Sequence, residues 1–261
     1  MSVINQASLS AIRYLLTDVD DTLTTDGQLL PETLTAIYHL HEAGVQVIPV
    51  TGACAGWCDH MVRAWPVSAV IGESGAFYKI YRSEKRLMHI GWYDDAELRR
   101  RQAEVIDVIK RELMPHYQDL RFAQDQVYRV ADVALDIGQD REPLPQQQIR
   151  ELLRLLTQCG VQARASSIHI NAWRGDFGKF PMALRLLRNE FNLDDEQILN
   201  QVAFIGDSAN DESMFAGLKY TFGVANIAQW LTDMRHHPAV LLEQPRGLGF
   251  VELADRLLEA R

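Results

Sequence analysis

The apolar run Ala11 to Leu16 ends in Thr17-Asp18 and is followed by a helix and then by a second apolar run, Val45 to Val50. Nothing else in the chain limits its fold as strongly. Pro31-Glu32 opens the helix, Leu34, Ile37, Leu40 and Ala43 share one face, and Gly44 ends it as a left-handed cap does. A strand, a helix and a strand in this order form a right-handed parallel crossover, the unit of a doubly wound sheet. The pattern continues with a helix over Gly56 to Ala64, a strand over Val67 to Ile71 and a short strand over Ala76 to Tyr81.

Alternation resumes at Phe180. Helix Pro181 to Asn189 leads through Asp194-Asp195-Glu196 to strand Val202 to Ile205, helix Glu212 to Gly217, strand Tyr220 to Val224 and a final strand Ala239 to Leu242. Between the two stretches the grammar changes: a charged helix from Asp94 to about Leu113, a strand over Val127 to Ile137, a helix over Pro145 to Gln158, and strands Val161 to Ala165 and Ser167 to Asn171. The expected fold is therefore an α/β doubly wound, Rossmann-like parallel sheet with an inserted α+β unit. Residues 1–82 and 173–261 form the core and residues 83–172 the insert.

Open parallel sheets bind ligands at the carboxyl ends of their strands, and Asp18-Val19-Asp20-Asp21-Thr22 lies at such an end. Two carboxylates one residue apart repel each other unless a cation joins them, and a hard ion such as Mg²⁺ takes oxygen ligands. On their own these residues read first as an acidic surface loop. Their continuation, Asp18-Val19-Asp20-Asp21-Thr22-Leu23, resembles the first motif of the haloacid-dehalogenase-like (HAD) superfamily, Asp-x-Asp-x-Thr after an apolar strand. Val50-Thr51-Gly52 resembles the second motif, Lys179 stands as the third, and Gly206-Asp207-Ser208-Ala209-Asn210-Asp211 is similar to the fourth.

The resemblance implies a phosphatase in which Asp18 is the nucleophile and forms an aspartyl-phosphate. It makes Asp20 the general acid and base, Thr51 a hydroxyl donor to the phosphoryl group and Lys179 a fixed positive charge. Mg²⁺ would be held by Asp18, the backbone carbonyl of Asp20 and Asp207, with Asn210 and Asp211 in support; Asp211 also reads as a helix N-cap. The insert falls where the sugar-phosphatase (Cof-type, subfamily IIB) branch carries an α/β cap, and it implies a small phosphorylated metabolite, a sugar phosphate, as substrate. Candidate substrate contacts are Gly52, His169, Asn171 and Arg174, the last suited to a second anionic group. His169 and Asn171 read equally well as ordinary strand residues.

Three departures stand out: Asp21 where this branch more often has Gly, Ala53 where Arg is common, and Gly72-Glu73-Ser74-Gly75-Ala76 where the loop usually reads Glu-Asn-Gly. Phosphomannomutases share the cap type, so a phosphomutase or phosphotransferase is the first rival, and a non-catalytic sensor of a phosphorylated ligand is the second. The net charge of −9 argues against nucleic-acid and anionic-membrane partners. The three cysteines, Cys54, Cys58 and Cys159, suggest no disulfide framework, and no long apolar run or basic leader occurs. A cytoplasmic monomer or homodimer is expected. The scattered tryptophans form no stacking platform, and His236-His237 reads as a solvated loop.

Overall fold

The computed structural model describes residues 4–94 and 96–261. Asp95, inside the charged helix expected from Asp94, lies outside the described residues. The chain begins with α1 (Gln6–Ala11), β1 (Tyr14–Thr17), α2 (Pro31–Glu42), β2 (Gln46–Pro49), α3 (Ala55–Ala64), β3 (Val70–Gly72), β4 (Phe77–Arg82) and β5 (Leu87–Trp92). Then come α4 (Leu98–Val108), β6 (Val133–Asp136), α5 (Gln146–Gln158), β7 (Gln162–Ala165) and β8 (His169–Trp173). The chain finishes with α6 (Lys179–Glu190), α7 (Asp195–Gln201), β9 (Val202–Gly206), α8 (Glu212–Gly217), β10 (Tyr220–Gly223), β11 (Val240–Leu241) and α9 (Arg246–Glu259).

A five-stranded sheet of order β11-β10-β9-β1-β2 is parallel throughout, with Leu15 beside Val47 on one side and Ala203 on the other. Strands buried on both faces read as continuous apolar runs, and β1 obeys this rule. Leu16, Ile48 and Phe204 point into the layer holding Met182 and Leu186 of α6 and Met214 of α8. Leu15, Val47 and Ile205 point into the opposite layer with Ile37 and Leu40 of α2 and Phe250 and Leu253 of α9. Pro31 opens α2 and Gly44 follows its end at φ +78°, as expected from the sequence.

Two antiparallel sheets accompany the parallel one. β3-β4-β5 continues from the edge of β2 through a bridge between Val50 and Ile71, and β6-β8-β7 packs α4 and α5 on its apolar face. The strand expected over Val127 to Ile137 is shorter. Gln124–Tyr128 is a 3₁₀ turn, and only Val133–Asp136 joins a ladder, because the N–H groups of Val130, Ala131 and Asp132 bond the Glu73 carboxylate instead of a neighbouring strand. The charged helix is α-helical over Leu98–Val108 and closes with a π turn, Ile109–Leu113. Unforeseen elements include β5 and α9. Two glycines near its start weaken the helical signal of α9, yet a side chain at Gly249 would meet Val224 at 2.5 Å, so close packing requires it.

Candidate active site

Asp18, Thr51 and Asp207 each follow the carboxyl end of a neighbouring strand, β1, β2 and β9, where the chain order in the sheet reverses. Helices lead away from this edge in both directions, which opens a crevice there. The Asp18 N–H is fixed by the Ile205 carbonyl at 2.9 Å, and the side chain is buried. Lys179, at the first turn of α6, reaches into the crevice: its Nζ donates to Asp18 Oδ1 at 2.6 Å, Asp211 Oδ1 at 2.7 Å and Asn210 Oδ1 at 3.0 Å. Asp211 turns its other oxygen to the N–H groups of Asp207 and Ser208. The expected support of the lysine is present, but the expected N-cap role is not: Asp211 makes no side-chain capping bond to α8, and its second oxygen instead closes a capping box with Ser208 on the turn before that helix.

Asp18, Asp207 and Asp211 bring oxygens within 4.8 Å of one another and are all buried. Desolvation drives the Asp207 carboxyl far above its ordinary range, and the charges of Asp18 and Asp211 drive it further. Asp18 is raised for the same first reason, with Lys179 opposing and Asp211 adding. Lys179 stays charged: burial pulls its pKa down, but Asp18 and Asp211 raise it well above the usual value. A single ammonium among this many buried carboxylates leaves negative charge uncompensated. All the donors are hard oxygens, so a divalent cation of the Mg²⁺ type fits the set; both oxygens of Asp211 already accept hydrogen bonds, whereas among the described residues Asp18 and Asp207 each use only one.

Asp20 is half-buried at the floor of a cavity of about 820 Å³ that runs from the crevice to the β6-β8-β7 sheet. Desolvation, with the Asp21 charge, lifts its pKa to about 6, against the pull of Lys179 and Arg129. Thr51 is buried, and its Oγ1 accepts the Ala53 N–H at 2.9 Å, which leaves its proton free to be donated elsewhere. Tryptophans 57, 65 and 230 and His169 line the cavity.

The remaining candidates divide. His169 borders the cavity with its Nε2 buried and unpaired. Asn171 is committed elsewhere: its Nδ2 donates to Asp132 Oδ2 at 2.8 Å and to the Gly52 carbonyl at 3.1 Å. Gly52 is needed for this approach, since a Cβ there would lie 2.8 Å from Asn171 Oδ1. Arg174 lies apart from the cavity, paired with Glu104 at 3.2 Å and donating to the Cys159 carbonyl, and so it holds two helices and a strand together instead of facing the crevice. Asn226 was missed. Its Nδ2 donates to Asp207 Oδ2 at 3.1 Å and to the Asp21 carbonyl at 3.2 Å. The signal was a polar residue just past the end of β10, at the same sheet edge as the acids.

Burial, with the Arg129 charge adding, lowers the pKa of His169 to about 4, so the ring is neutral in the folded protein. The unfolded ring titrates near 6.5 and binds its proton first, so this contribution is complete above that pH and fades as pH falls from about 6.5 to about 4. It amounts to about 3 kcal/mol at most. His169→Phe is expected to flatten the dependence of Tm on pH across that window. Superimposable slopes for the two proteins would show that His169 does not contribute.

Similar folds occur among solved structures. A protein from Thermoplasma acidophilum aligns with a TM-score of 0.71 at 16% identity, covering 96% of this chain and 99% of its own. A HAD/COF-like hydrolase from Plasmodium vivax aligns at 0.70 and 17% identity, over 98% and 99%. A HAD subclass IIB sugar phosphatase aligns at 0.59 and 12% identity, over 88% and 93%. No protein-family model matches the sequence, and no curated protein matches it either. The chain has the fold of the HAD superfamily. The proteins that share this fold include a HAD/COF-like hydrolase and a subclass IIB sugar phosphatase. Among the described residues no helix is long and apolar enough to cross a membrane.

Proposed function

We propose that the chain is a Mg²⁺-dependent phosphatase that hydrolyses a small phosphomonoester, a sugar phosphate, with residues 1–82 and 173–261 as catalytic core and 83–172 as cap. The observation that carries this reading is the Asp18 carboxylate held 2.6 Å from Lys179 Nζ, at the end of β1, next to the buried Asp207. A ligand sensor needs no carboxylate so constrained.

In this reading Asp18 Oδ attacks phosphorus and the alkoxide leaves with the proton of Asp20. With a pKa of about 6, Asp20 is near the balance at which a carboxyl both gives and takes a proton at neutral pH. Asp20 then takes a proton from water, which attacks the aspartyl-phosphate and frees Asp18. Lys179 favours the ionised form of Asp18 against the pull of burial and offsets charge on the phosphoryl oxygens, while the Thr51 hydroxyl donates to one of them. Asp18, the Asp20 carbonyl and Asp207 would hold Mg²⁺, which supplies Lewis-acid stabilisation of the phosphoryl charge.

The cavity favours an uncharged alcohol as leaving group. Arg129 is paired with Asp125 and Asp132, Arg246 with Asp21 and Asp26, and neither is free for a second anion. Indole faces suit the apolar faces of sugar rings. Phosphate release should therefore require Mg²⁺, stop with EDTA, and favour sugar monophosphates over bisphosphates and phosphorylated acids by about tenfold or more in kcat/KM. Release that survives EDTA would remove the metal from the reading. Absence of release from every compound without an added acceptor would replace hydrolysis by transfer.

A further inference from the structure

Glu73 is a buried carboxylate in a loop with successive positive φ values at Glu73 (44°), Ser74 (58°) and Gly75 (104°). Its oxygens accept N–H groups from both sides of the cavity: Ala55 at the start of α3 at 3.0 Å, and Val130, Ala131 and Asp132 at 3.0, 2.6 and 3.1 Å on the way into β6. Alongside it, the Gly52 carbonyl accepts Arg129 Nη1 at 2.8 Å and Asn171 Nδ2 at 3.1 Å, and both donors are also bound to Asp132.

The same loop holds the catalytic backbone. Glu73 N–H donates to the Ala53 carbonyl and Ser74 N–H to the Thr51 carbonyl, each at 3.1 Å. Gly75 lies against the residue preceding Lys179, where a Cβ would be 2.2 Å from the Gly178 carbonyl oxygen. One short loop therefore touches the Thr51 loop, the start of the Lys179 helix and the entry to the β6-β8-β7 sheet.

We infer that Glu73, with Asn171 and Arg129, is a set of positioning residues that ties the placement of the capping sheet to the placement of Thr51 and Lys179, so that one cannot shift without the other. None of the three touches the reacting atoms; they act through the Gly52 carbonyl and through the backbone of residues 51–55 and 130–132. The inference rests on the phosphatase reading only for its ligand arm. Amide N–H bonds to an ionised carboxylate are charge-assisted, so removing its charge weakens all of them at once.

Hydrogen exchange on the full chain tests the coupling, with inorganic phosphate and Mg²⁺ as the probe. In the wild type, phosphate at the Asp18 end should slow exchange at residues 130–132 by about fivefold or more, the usual lower range of site-to-site coupling. Glu73→Gln and Asn171→Ala should each abolish this remote slowing, while protection of β9 and β10 stays unchanged. A purely structural role would lower protection everywhere and leave the response to phosphate in place.

Remote slowing that persists in both variants would overturn the inference. If Glu73→Gln fails to fold, Asn171→Ala decides alone, since it leaves every Glu73 bond intact. If the wild type binds no phosphate, the phosphatase reading fails, and the ligand-free proteins still decide: Asn171→Ala should speed exchange at residues 51–55 and 130–132 together, and a change confined to one segment would refute the coupling.

Discussion

Asp18→Asn is expected to reduce phosphate release by at least about 10³-fold while leaving the fold intact. The amide has nearly the shape of the carboxylate, and its oxygen can still accept from Lys179 Nζ. It has no lone pair of comparable basicity to attack phosphorus, so the step that forms the aspartyl-phosphate is lost. The stability consequence runs the other way. Burial raises the Asp18 carboxyl well above its ordinary range even with Lys179 beside it, so exchanging this charge for a neutral group relieves desolvation and removes a repulsion with Asp211 and Asp20. The metal-free variant should melt no lower than the wild type. A variant retaining a tenth of wild-type turnover on the best sugar phosphate would place the nucleophile elsewhere, and a variant that is inactive because it is unfolded would show itself in the melting curve.

The core and the central acids were legible because their signals are local. Leu15 and Leu16 are apolar at successive positions because β1 is covered on both faces, and Asp18 follows where the strand meets the crevice; the expected strand began too early, since Ala11 closes α1 and Arg13 is exposed before β1 starts at Tyr14. Asp207 follows the same rule at the end of β9, whereas Lys179 stands at the first turn of α6 and was legible only through its place in the order of motifs. What escaped the sequence was set by partners distant along the chain. Arg129 looked like one face of an alternating strand, but its guanidinium is buried against Asp125 and Asp132 and its neighbours' N–H groups go to Glu73, more than fifty residues earlier. Asn171 and Arg174 were attractive as polar residues close to Lys179, and no local pattern shows that Asp132 and Glu104 hold them. Asn226 carries no motif of its own. Its importance comes from lying opposite Asp207 across the sheet edge.

Lys179→Met and Asp207→Asn are expected to change the stability of the metal-free protein in opposite directions. Lys179 is the cation shared by Asp18 and Asp211, and it is buried with them. Taking away one partner of a buried ion pair costs about 3–5 kcal/mol, because the remaining charges stay desolvated and unopposed. For a chain of this size that is a fall in Tm of roughly 6–20 °C. Asp207 pairs directly with no cation among the described residues, and Lys179 acts on it only weakly, from beside Asp18 and Asp211. Its own carboxyl is raised well above the ordinary range by desolvation and then by Asp18 and Asp211, so its charge is a burden on the folded state until a divalent cation arrives. The asparagine keeps an oxygen for the Asn226 amide and removes the repulsion, and it should raise the Tm of the metal-free protein. The two variants also separate with Mg²⁺: the wild type should gain Tm on its addition, and Asp207→Asn should gain much less, having lost a ligand. Melting curves in EDTA and in Mg²⁺ for the three proteins decide it. If Asp207→Asn were destabilising in EDTA to the same degree as Lys179→Met, the acids would be held by neutral hydrogen bonds rather than poised with excess charge, and the case for a cation at this site would lose its electrostatic basis.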